Sequence, residues 1–281
     1  MSEKKISIIL PAAGQSKRFG GERSKLETPI NGRAVLVRAV ELFTNRPEVQ
    51  QIIIAVDPSK VDEFKFKWGD RLGFFGVTIV PGGEVERWET VMKAIEAVNE
   101  AATHIAVHDA ARPITSAKVI DRCFEAAEQY PAVIPAARVT ATIKRTAQQA
   151  SQPESSDDPL DAILGDAGKT TVDAWRVIET VPRDDLWLIQ TPQVFDADLL
   201  RRAYQQVADG QLTDEKVTDD AGLVEALGEP VHIVEGDPLN VKITHPDDVP
   251  FAEAVLSMRE GKSGALGSKR KFPTWAQMDD E

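Results

Sequence analysis

Several residue types and motifs that mark whole protein classes are scarce in this 281-residue sequence. It has one cysteine, Cys123, so no disulfide can form within the chain, and a reducing compartment is the natural setting. It has no run of about 18 consecutive apolar residues, so no segment is expected to cross a membrane. Its 33 lysines and arginines are outnumbered by 45 aspartates and glutamates, for a net charge of −12. That balance argues against nucleic acid as a partner, because binding a phosphate backbone needs a clustered excess of positive charge.

The opening of the chain also gives little sign of export. The polar stretch MSEKK leads straight into ISIIL, and this apolar run is too short and too early for a signal peptide. We therefore expect a cytoplasmic protein.

Familiar catalytic and metal-binding patterns are missing as well. His104, His232 and His245 lie alone, without the spacing of metal ligands, and no Ser-His-Asp order is apparent. His108 is expected to form structural hydrogen bonds, and Cys123 is expected to be an ordinary helix residue. The first loop contains neither G-x-G-x-x-G nor G-K-[ST] at P-loop spacing, which disfavours a nicotinamide-dependent oxidoreductase.

What the sequence does contain is an alternation of short apolar runs with segments of helical period. This alternation predicts a mostly parallel sheet with helices on both faces, a Rossmann-like α/β fold. The predicted strands are ISIIL, QIIIAVD, FGVTIVPGG, THIAVHDAARP and PAVIPAAR. The predicted helices are AVLVRAVELFTN, ERWETVMKAIEAVNEA, AKVIDRCFEAAEQY, DADLLRRAYQQVA, DDAGLVEALG and PDDVPFAEAVLSM. In such sheets ligands bind beyond the carboxyl ends of the strands.

The pattern changes over residues 138–193, which we interpret as a protruding β-arm leaving a single domain that spans 1–258. VTATIKRT alternates like a half-exposed strand, a polar insertion follows near 146–170, and WRVIETVPRDDLWLIQTPQVF contains the returning strands. Later in the chain, VHIVEGDPLNVKI predicts a strand, a turn and a second strand. Residues 259–281 form a polar tail.

The loop after the first strand, PAAGQSKRFGGERSK, is the first sign of chemistry. Its small residues, Pro11 to Gly14, would let backbone N–H groups approach an anion closely. Arg18 and Lys25 would add a planar fork and a point charge for phosphate oxygens. An acidic chain with a locally cationic loop suggests a phosphorylated ligand.

The chain resembles the 2-C-methyl-D-erythritol 4-phosphate cytidylyltransferases of the non-mevalonate isoprenoid route. The likeness extends from about Ser7 to Leu256. The strings that carry it are PAAGQSKRFG with Lys25, GG followed by Arg87 and Thr90, HDAARP, TIKR from Thr142, VPRDDLWLIQTPQVF, LTDEKVTDDA and EGDPLNVKIT.

The resemblance implies transfer of CMP from CTP to a phosphorylated polyol, with release of pyrophosphate. The acceptor phosphate is largely deprotonated near neutral pH, because its second pKa is about 6, so no general base is needed. The task is to offset repulsion between anions. The catalytic cations implied by position are Arg18, Lys25, Arg183 and Lys242.

The resemblance also assigns binding residues, a cofactor and an assembly. Residues matching CTP contacts are Pro11, Ala12, Ala13, Gly14, Gly83, Arg87, Thr90, Asp109 and Ala110. Residues matching acceptor contacts are Arg112, Thr142, Arg183, Thr191 and Lys242. Asp109 is the expected ligand of Mg²⁺, or of another divalent cation. A homodimer formed through the arm is implied.

Two departures and two alternatives stay open. GGEVERWET holds one residue more before Arg87 than the family usually has, which leaves the strictness for CTP open. Ser24 and Leu26 replace the usual proline and glutamine beside Lys25. A ribitol 5-phosphate cytidylyltransferase would share the fold and differ in the acceptor. A non-catalytic nucleotide-binding protein of the same fold is the alternative of another class.

Overall fold

The computed structural model describes residues 4–14, 19–20, 24–147, 174–211 and 218–261. Arg18, most of the insertion predicted near 146–170 and nearly all of the predicted tail lie outside these ranges. The chain divides into a main unit, Met1–Ala137 with Ile189–Glu281, and an arm unit, Arg138–Leu188. The assignment of 1–258 to one domain with an excursion at 138–193 stays a prediction.

The main unit is built around a mixed, mostly parallel sheet. Its strands are β1 Ile6–Pro11, β4 Val49–Val56, β5 Val77–Pro81, β6 His104–Val107, β7 Ala132–Arg138, β11 Gln193–Asp196 and β12 His232–Glu235. They lie in the order β7-β11-β6-β1-β4-β5, with β12 beside β7. The pairs β1–β4, β1–β6, β4–β5 and β7–β12 are parallel, whereas β11 runs antiparallel to both β6 and β7.

Helices cover both faces of this sheet, as the sequence predicts. They are α1 Val35–Glu41, α2 Val61–Gly73, α3 Arg87–Glu96, α4 Ala117–Ala126, α5 Ala197–Ala208, α6 Asp220–Ala226 and α7 Asp248–Arg259. A 3₁₀ turn, Pro58–Lys60, and a short hairpin of β2 Pro29–Ile30 with β3 Arg33–Ala34 complete the unit. The described residues include no helix long and apolar enough to span a bilayer.

Strand β1 shows why the sheet is buried on both sides. Successive side chains of a strand point to opposite faces. Ile8 and Leu10 accordingly join a core with α1, α2, α4 and α7, whereas Ile9 joins a second core with α3, α5 and α6. All three side chains are fully buried. The apolar run ends at Pro11, and the chain leaves the sheet there at the carboxyl end of the strand.

Two elements differ from the sequence predictions. Helix α2 was not predicted, because only Trp68 and Leu72 of its 13 residues are buried and its other side chains blur the helical period. The second strand predicted in VHIVEGDPLNVKI is wrong. The segment is held by a turn, with Asn240 N donating to Asp237 O, and by a single bond from Ile243 N to Ala111 O. Those bonds do not form a ladder.

The arm unit contains an antiparallel pair, β8 Ile143–Thr146 with β9 Val177–Val181. This pair agrees with the alternation in VTATIKRT. The strand β10, Trp187–Ile189, begins in the arm unit and ends in the main unit. The Arg138 guanidinium lies 4.3 Å from the centre of the Trp187 ring, a cation–π distance.

Candidate functional site

A cleft of about 480 Å³ opens where β1, β5 and β6 end. It is lined by Pro11, Ala12, Ala13, Gly14, Lys25, Leu26, Gly83, Glu84, Val85, Glu86, Arg87, Thr90, Asp109, Ala110, Ala111 and Lys242. The lining includes every residue predicted to contact CTP, together with both predicted catalytic lysines. Segments far apart in the sequence therefore meet at one edge of the sheet, the place expected for a ligand.

The first wall of the cleft follows β1. Ala12 N donates to Ala55 O at 2.7 Å, which ties the loop to β4. Lys25 lies on a turn anchored by its neighbour Leu26, which is buried and whose carbonyl accepts from Leu36 N at 3.0 Å. A buried anchor beside an ammonium group places that charge at the cleft.

The second wall is the loop before α3 and the first turn of that helix. A Cβ on Gly83 would lie 2.3 Å from Glu89 Cβ, so only glycine fits there. Gly83 N donates to Thr90 Oγ1 at 3.2 Å, and Glu89 Oε2 accepts from Glu86 N at 2.9 Å. The last bond is part of a capping box. With the extra residue in this loop, Arg87 still begins the helix and lines the cleft.

Asp109 gathers three cations at the floor of the cleft. Its Oδ2 lies 3.0 Å from Lys242 Nζ and 3.3 Å from Arg112 Nε, and its Oδ1 lies 3.7 Å from Arg87 Nη2. Burial alone would raise the pKa of Asp109, but the charges of Lys242, Arg87 and Arg112 outweigh it and hold the pKa well below its ordinary value. Asp109 is therefore an anion throughout the physiological range.

The backbone of Asp109 is fixed from behind by Thr191 and His108. Thr191 Oγ1 accepts from Asp109 N at 3.1 Å and lies 3.1 Å from His108 Nδ1, while His108 Nε2 lies 3.1 Å from Arg112 O. Since Nε2 faces a carbonyl, it carries the proton, and the Thr191 hydroxyl donates to Nδ1. Burial lowers the pKa of His108 to about 4, so the ring is neutral at pH 7. Thr191 lies outside the cleft lining and acts here on Asp109.

Arg112 is held through Asn240, a buried residue that sequence reasoning missed. Arg112 Nη1 donates to Asn240 O at 2.7 Å. The Asn240 amide donates to Gln190 Oε1 and to Thr191 O, both at 3.3 Å, and its oxygen accepts from Thr115 Oγ1 at 2.8 Å. Asn240 stands in the string NVKIT that carried the resemblance, which was the available signal.

Two of the predicted residues belong to the other unit, and a third is not described. Thr142 and Arg183 belong to the arm unit, where Arg183 Nη1 donates to Thr140 O. Arg18 lies outside the described residues. Cys123 is buried in α4, and burial raises the pKa of its thiol to about 12, in keeping with an unreactive helix residue.

Asp109 is the carboxylate that the resemblance predicts as a metal ligand. Within the described ranges, no group of three or more histidine, cysteine, aspartate or glutamate side chains could enclose an ion. Mg²⁺ commonly binds through one or two carboxylates with substrate phosphates and waters as its other ligands. Asp109 Oδ1, which lies 3.7 Å from Arg87 Nη2, fits that kind of site.

Comparison with known proteins identifies the same family as the sequence resemblance. The family model described as 2-C-methyl-D-erythritol 4-phosphate cytidylyltransferase matches residues 6–157 and 160–258. A protein of that name from Symbiobacterium thermophilum is 38% identical over 252 residues, covering 89% of this chain and 92% of its own length. One from Bacteroides fragilis is 36% identical over 250 residues, covering 89% and 99%.

Solved structures agree with the sequence relatives. The crystal structure of 4-diphosphocytidyl-2C-methyl-D-erythritol synthase from Anaerococcus prevotii superposes with a TM-score of 0.69 at 27% identity, covering 91% of this chain and 97% of that one. The 2-C-methyl-D-erythritol 4-phosphate cytidylyltransferase from Thermus thermophilus gives 0.64 at 29% identity, covering 89% and 98%. The fold is therefore that of these nucleotidyltransferases.

Proposed function

We propose, from the premise that the chain belongs to the 2-C-methyl-D-erythritol 4-phosphate cytidylyltransferase family, how its cleft carries out that reaction. The enzyme transfers CMP from CTP to 2-C-methyl-D-erythritol 4-phosphate and releases pyrophosphate, a step of isoprenoid precursor synthesis. The observation that carries the assignment is the lining of one cleft by Lys25, Arg87 and Lys242, in a chain of net charge −12.

The reaction exchanges one phosphorus–oxygen bond for another. An oxygen of the acceptor phosphate attacks the α-phosphorus of CTP, and the bond from that phosphorus to the oxygen bridging to the β-phosphate breaks. The electron pair leaves with pyrophosphate. The nucleophile is already an anion, so no side chain needs to remove a proton. The neutral, buried His108 is consistent with that, because it is engaged on both ring nitrogens.

The cleft cations supply the positive charge that offsets repulsion between the acceptor phosphate and CTP. Lys25, beside the loop that follows β1, is assigned to the charge that builds up on the α-phosphate, where fixed positive groups are most effective. Arg18 is assigned the same task by resemblance. Lys242, which lies 3.0 Å from Asp109 Oδ2, is assigned to the acceptor phosphate. This division places one cation on each reacting group.

The nucleotide is assigned to the two walls of the cleft. The backbone after β1, Pro11 to Gly14, follows the phosphates, and the segment from Gly83 to Thr90 meets the base and ribose. Because Gly83 and Thr90 are tied together by a hydrogen bond, this segment is rigid where it meets a ligand. A rigid wall costs less conformational entropy on binding.

We assign Mg²⁺ to Asp109. Its carboxylate is ionised, it lines the cleft, and one of its oxygens is less engaged than the other. When bound, the ion neutralises triphosphate charge and polarises phosphate oxygens. Thr191 and His108 would orient the ligand by holding the Asp109 backbone.

We assign the arm to the acceptor and to a dimer. Thr142 and Arg183 lie in the arm unit, and the same unit exposes large apolar side chains. Trp175, Val177, Ile178 and Leu188 are 52–59% exposed. Exposed apolar groups of this size are typical of an interface. Sedimentation is expected to give a dimer, and replacing Trp175 and Ile178 by serine is expected to give a monomer.

The assignment is tested by pyrophosphate release from CTP with Mg²⁺. The purified protein is given 2-C-methyl-D-erythritol 4-phosphate or ribitol 5-phosphate, and UTP replaces CTP in a parallel series. Release with methylerythritol phosphate and CTP is expected. Release only with ribitol phosphate would contradict the acceptor, and equal rates with UTP would contradict the base preference. Chelation of Mg²⁺ is expected to stop turnover.

A further inference from the structure

Behind Arg87, on the side away from the cleft, lies a carboxylate with no exposure to solvent. Asp220 is 0% exposed, and its Oδ2 accepts from Arg87 Nη2 at 2.8 Å. Its other oxygen accepts from the Tyr204 hydroxyl at 2.5 Å, and Tyr204 is itself 2% exposed. Both oxygens of Asp220 are therefore occupied, one by a tyrosine and one by the arginine that lines the cleft.

The backbone around Asp220 is clamped as firmly as its side chain. Asp220 is the first residue of α6, and Asp219 caps that helix by accepting from Gly222 N at 3.0 Å. Gln193 on β11 donates to Asp219 at 2.8 Å and accepts from Ala221 N at 3.1 Å. A carboxylate at a helix N-terminus is favoured by the helix dipole. The sheet, α5 and α6 thus jointly fix where this carboxylate stands.

A charge pair with one fully buried member is an expensive way to stabilise a fold. The Asp220 side chain is 0% exposed and that of Arg87 is 32% exposed, so desolvation, mainly of Asp220, offsets much of their attraction. Burial opposes the charge on Arg87, yet Asp220 and Asp109 keep its pKa above the ordinary value. Burial and then Asp220 raise the pKa of Tyr204, so the hydroxyl keeps the proton that it donates. Asp220 and Tyr204 therefore keep the Arg87 guanidinium charged and fix its position.

Arg87 also lies between two carboxylates at unequal distances. Its Nη2 is 2.8 Å from Asp220 but 3.7 Å from Asp109. Since the closer partner is behind the cleft, the guanidinium is drawn back from Asp109 Oδ1. That keeps the fork at the cleft wall and leaves the Asp109 oxygen less engaged.

We propose that Asp220, with Tyr204 behind it, is a positioning pair that orients Arg87 for CTP and keeps it off Asp109. The inference rests on the proposed function, since it takes CTP as the ligand of the cleft. Neither residue touches the cleft, so both act through Arg87. Asp220 is separated from Arg87 by 133 positions in sequence, and only the fold brings them together.

The test is the equilibrium dissociation constant of CTP, measured by calorimetry without acceptor, together with the KM of each substrate. Asp220→Asn is expected to raise the dissociation constant of CTP by about tenfold or more, because it removes a hydrogen bond to a charged group. The KM for the acceptor is expected to change little. Tyr204→Phe, a milder change that keeps the packing, is expected to raise it a few-fold by the same reasoning. Asp198→Asn is the matched control, because it removes an exposed carboxylate on α5 that pairs with Arg201 and is not part of this clamp.

A double-mutant cycle separates positioning from structural support. In an Arg87→Met background, Asp220→Asn and Tyr204→Phe are expected to have no further effect on the CTP constant, because both act through Arg87. Equal additive losses in both backgrounds, or losses matched by Asp198→Asn, would overturn the inference. If Asp220→Asn fails to fold, Tyr204→Phe decides by the same cycle. Wild-type protein that binds no CTP would overturn the proposed function and this inference together, whereas wild-type binding unchanged in the variants would overturn the inference alone.

Discussion

Two arginine–carboxylate pairs in this molecule have almost the same geometry and opposite surroundings. Arg87 lies 2.8 Å from Asp220 in the main unit, and Arg145 lies 2.6 Å from Glu179 in the arm unit. The Asp220 side chain is 0% exposed, whereas the side chains of Arg145 and Glu179 are 62% and 53% exposed. By distance alone the arm pair would rank first. Burial reverses the order, because an exposed pair is screened by water and a buried one cannot lose its partner without leaving a stranded charge.

The same contrast extends from single pairs to the two units. The cations at the cleft floor are tied to Asp109, and Arg112 is also tied to the buried Asn240. In the arm, Lys144 and Arg145 bond across exposed strands. We therefore expect substitutions at the cleft to act on chemistry, and most charge substitutions in the arm to act on nothing measurable.

The largest expected effect is at Lys25. Lys25→Ala should lower kcat by about 10²–10³-fold, the usual cost of removing one group that stabilises transition-state charge. Its effect on KM should be smaller, because the contact strengthens as charge develops. Steady-state kinetics with both substrates checks this. Lys93→Ala is the control, since Lys93 pairs with Glu96 on the exposed face of α3. An unchanged kcat with a raised KM would show that Lys25 does not stabilise the transition state.

The next effect concerns stability and pH. His108 is fully buried with a pKa of about 4, below the ordinary 6.5. As pH falls, the histidine of the unfolded chain therefore binds a proton before His108 of the folded chain does. The stability that depends on a neutral His108 is fully present above pH 6.5 and is lost as pH falls to about 4. The expected loss is about 3 kcal/mol of unfolding free energy.

Urea unfolding from pH 7 to pH 4 measures that loss. His108→Gln should flatten this part of the pH dependence, and substitution of the exposed His245 by glutamine controls for the removal of a histidine. Identical slopes for wild type and His108→Gln would contradict the burial argument.

A smaller effect is expected at Arg183, where the arm is assigned to the acceptor. Arg183→Ala should raise the KM for the acceptor by about tenfold, as expected for the loss of one hydrogen bond to a charged group. The dissociation constant of CTP should not change. Mixed dimers of Lys25→Ala and Arg183→Ala subunits should recover activity if each site uses residues from both subunits. Mixtures as inactive as their parents would count against the shared site.

The smallest effect is expected for the exposed pair itself. Arg145→Ala should change unfolding free energy by about 1 kcal/mol or less and leave turnover unchanged. Paired urea titrations and rate measurements check this. A loss as large as that of a buried pair would mean that exposure does not rank these interactions.

The sequence predicted the parts of this molecule that depend on local patterns. Ile8, Ile9 and Leu10 form a continuous apolar run, which identifies a strand buried on both faces. The small residues after Pro11 identify a loop at the end of that strand. The resemblance also named residues, from Gly14 to Lys242, that line one cleft, and their roles stay predictions.

The parts that were missed depend on distant partners. Asp220 and Asn240 act through hydrogen bonds to residues far away in the chain, and nothing in their neighbours shows that they are buried. Helix α2 was missed because its exposed Phe66 and buried Trp68 obscure the apolar stripe. The antiparallel direction of β11 likewise follows from the path of the chain through the arm.

The most direct measurement is a phosphorus NMR spectrum of CTP, Mg²⁺ and 2-C-methyl-D-erythritol 4-phosphate mixed with the protein. Attack of the acceptor phosphate on the α-phosphorus predicts two coupled doublets of an unsymmetrical diphosphate ester, growing in step with pyrophosphate. Those signals should be lost with Lys25→Ala and kept with Lys93→Ala. Appearance of CMP with pyrophosphate, and no ester, would show that water is the nucleophile and would contradict the assignment of the cleft.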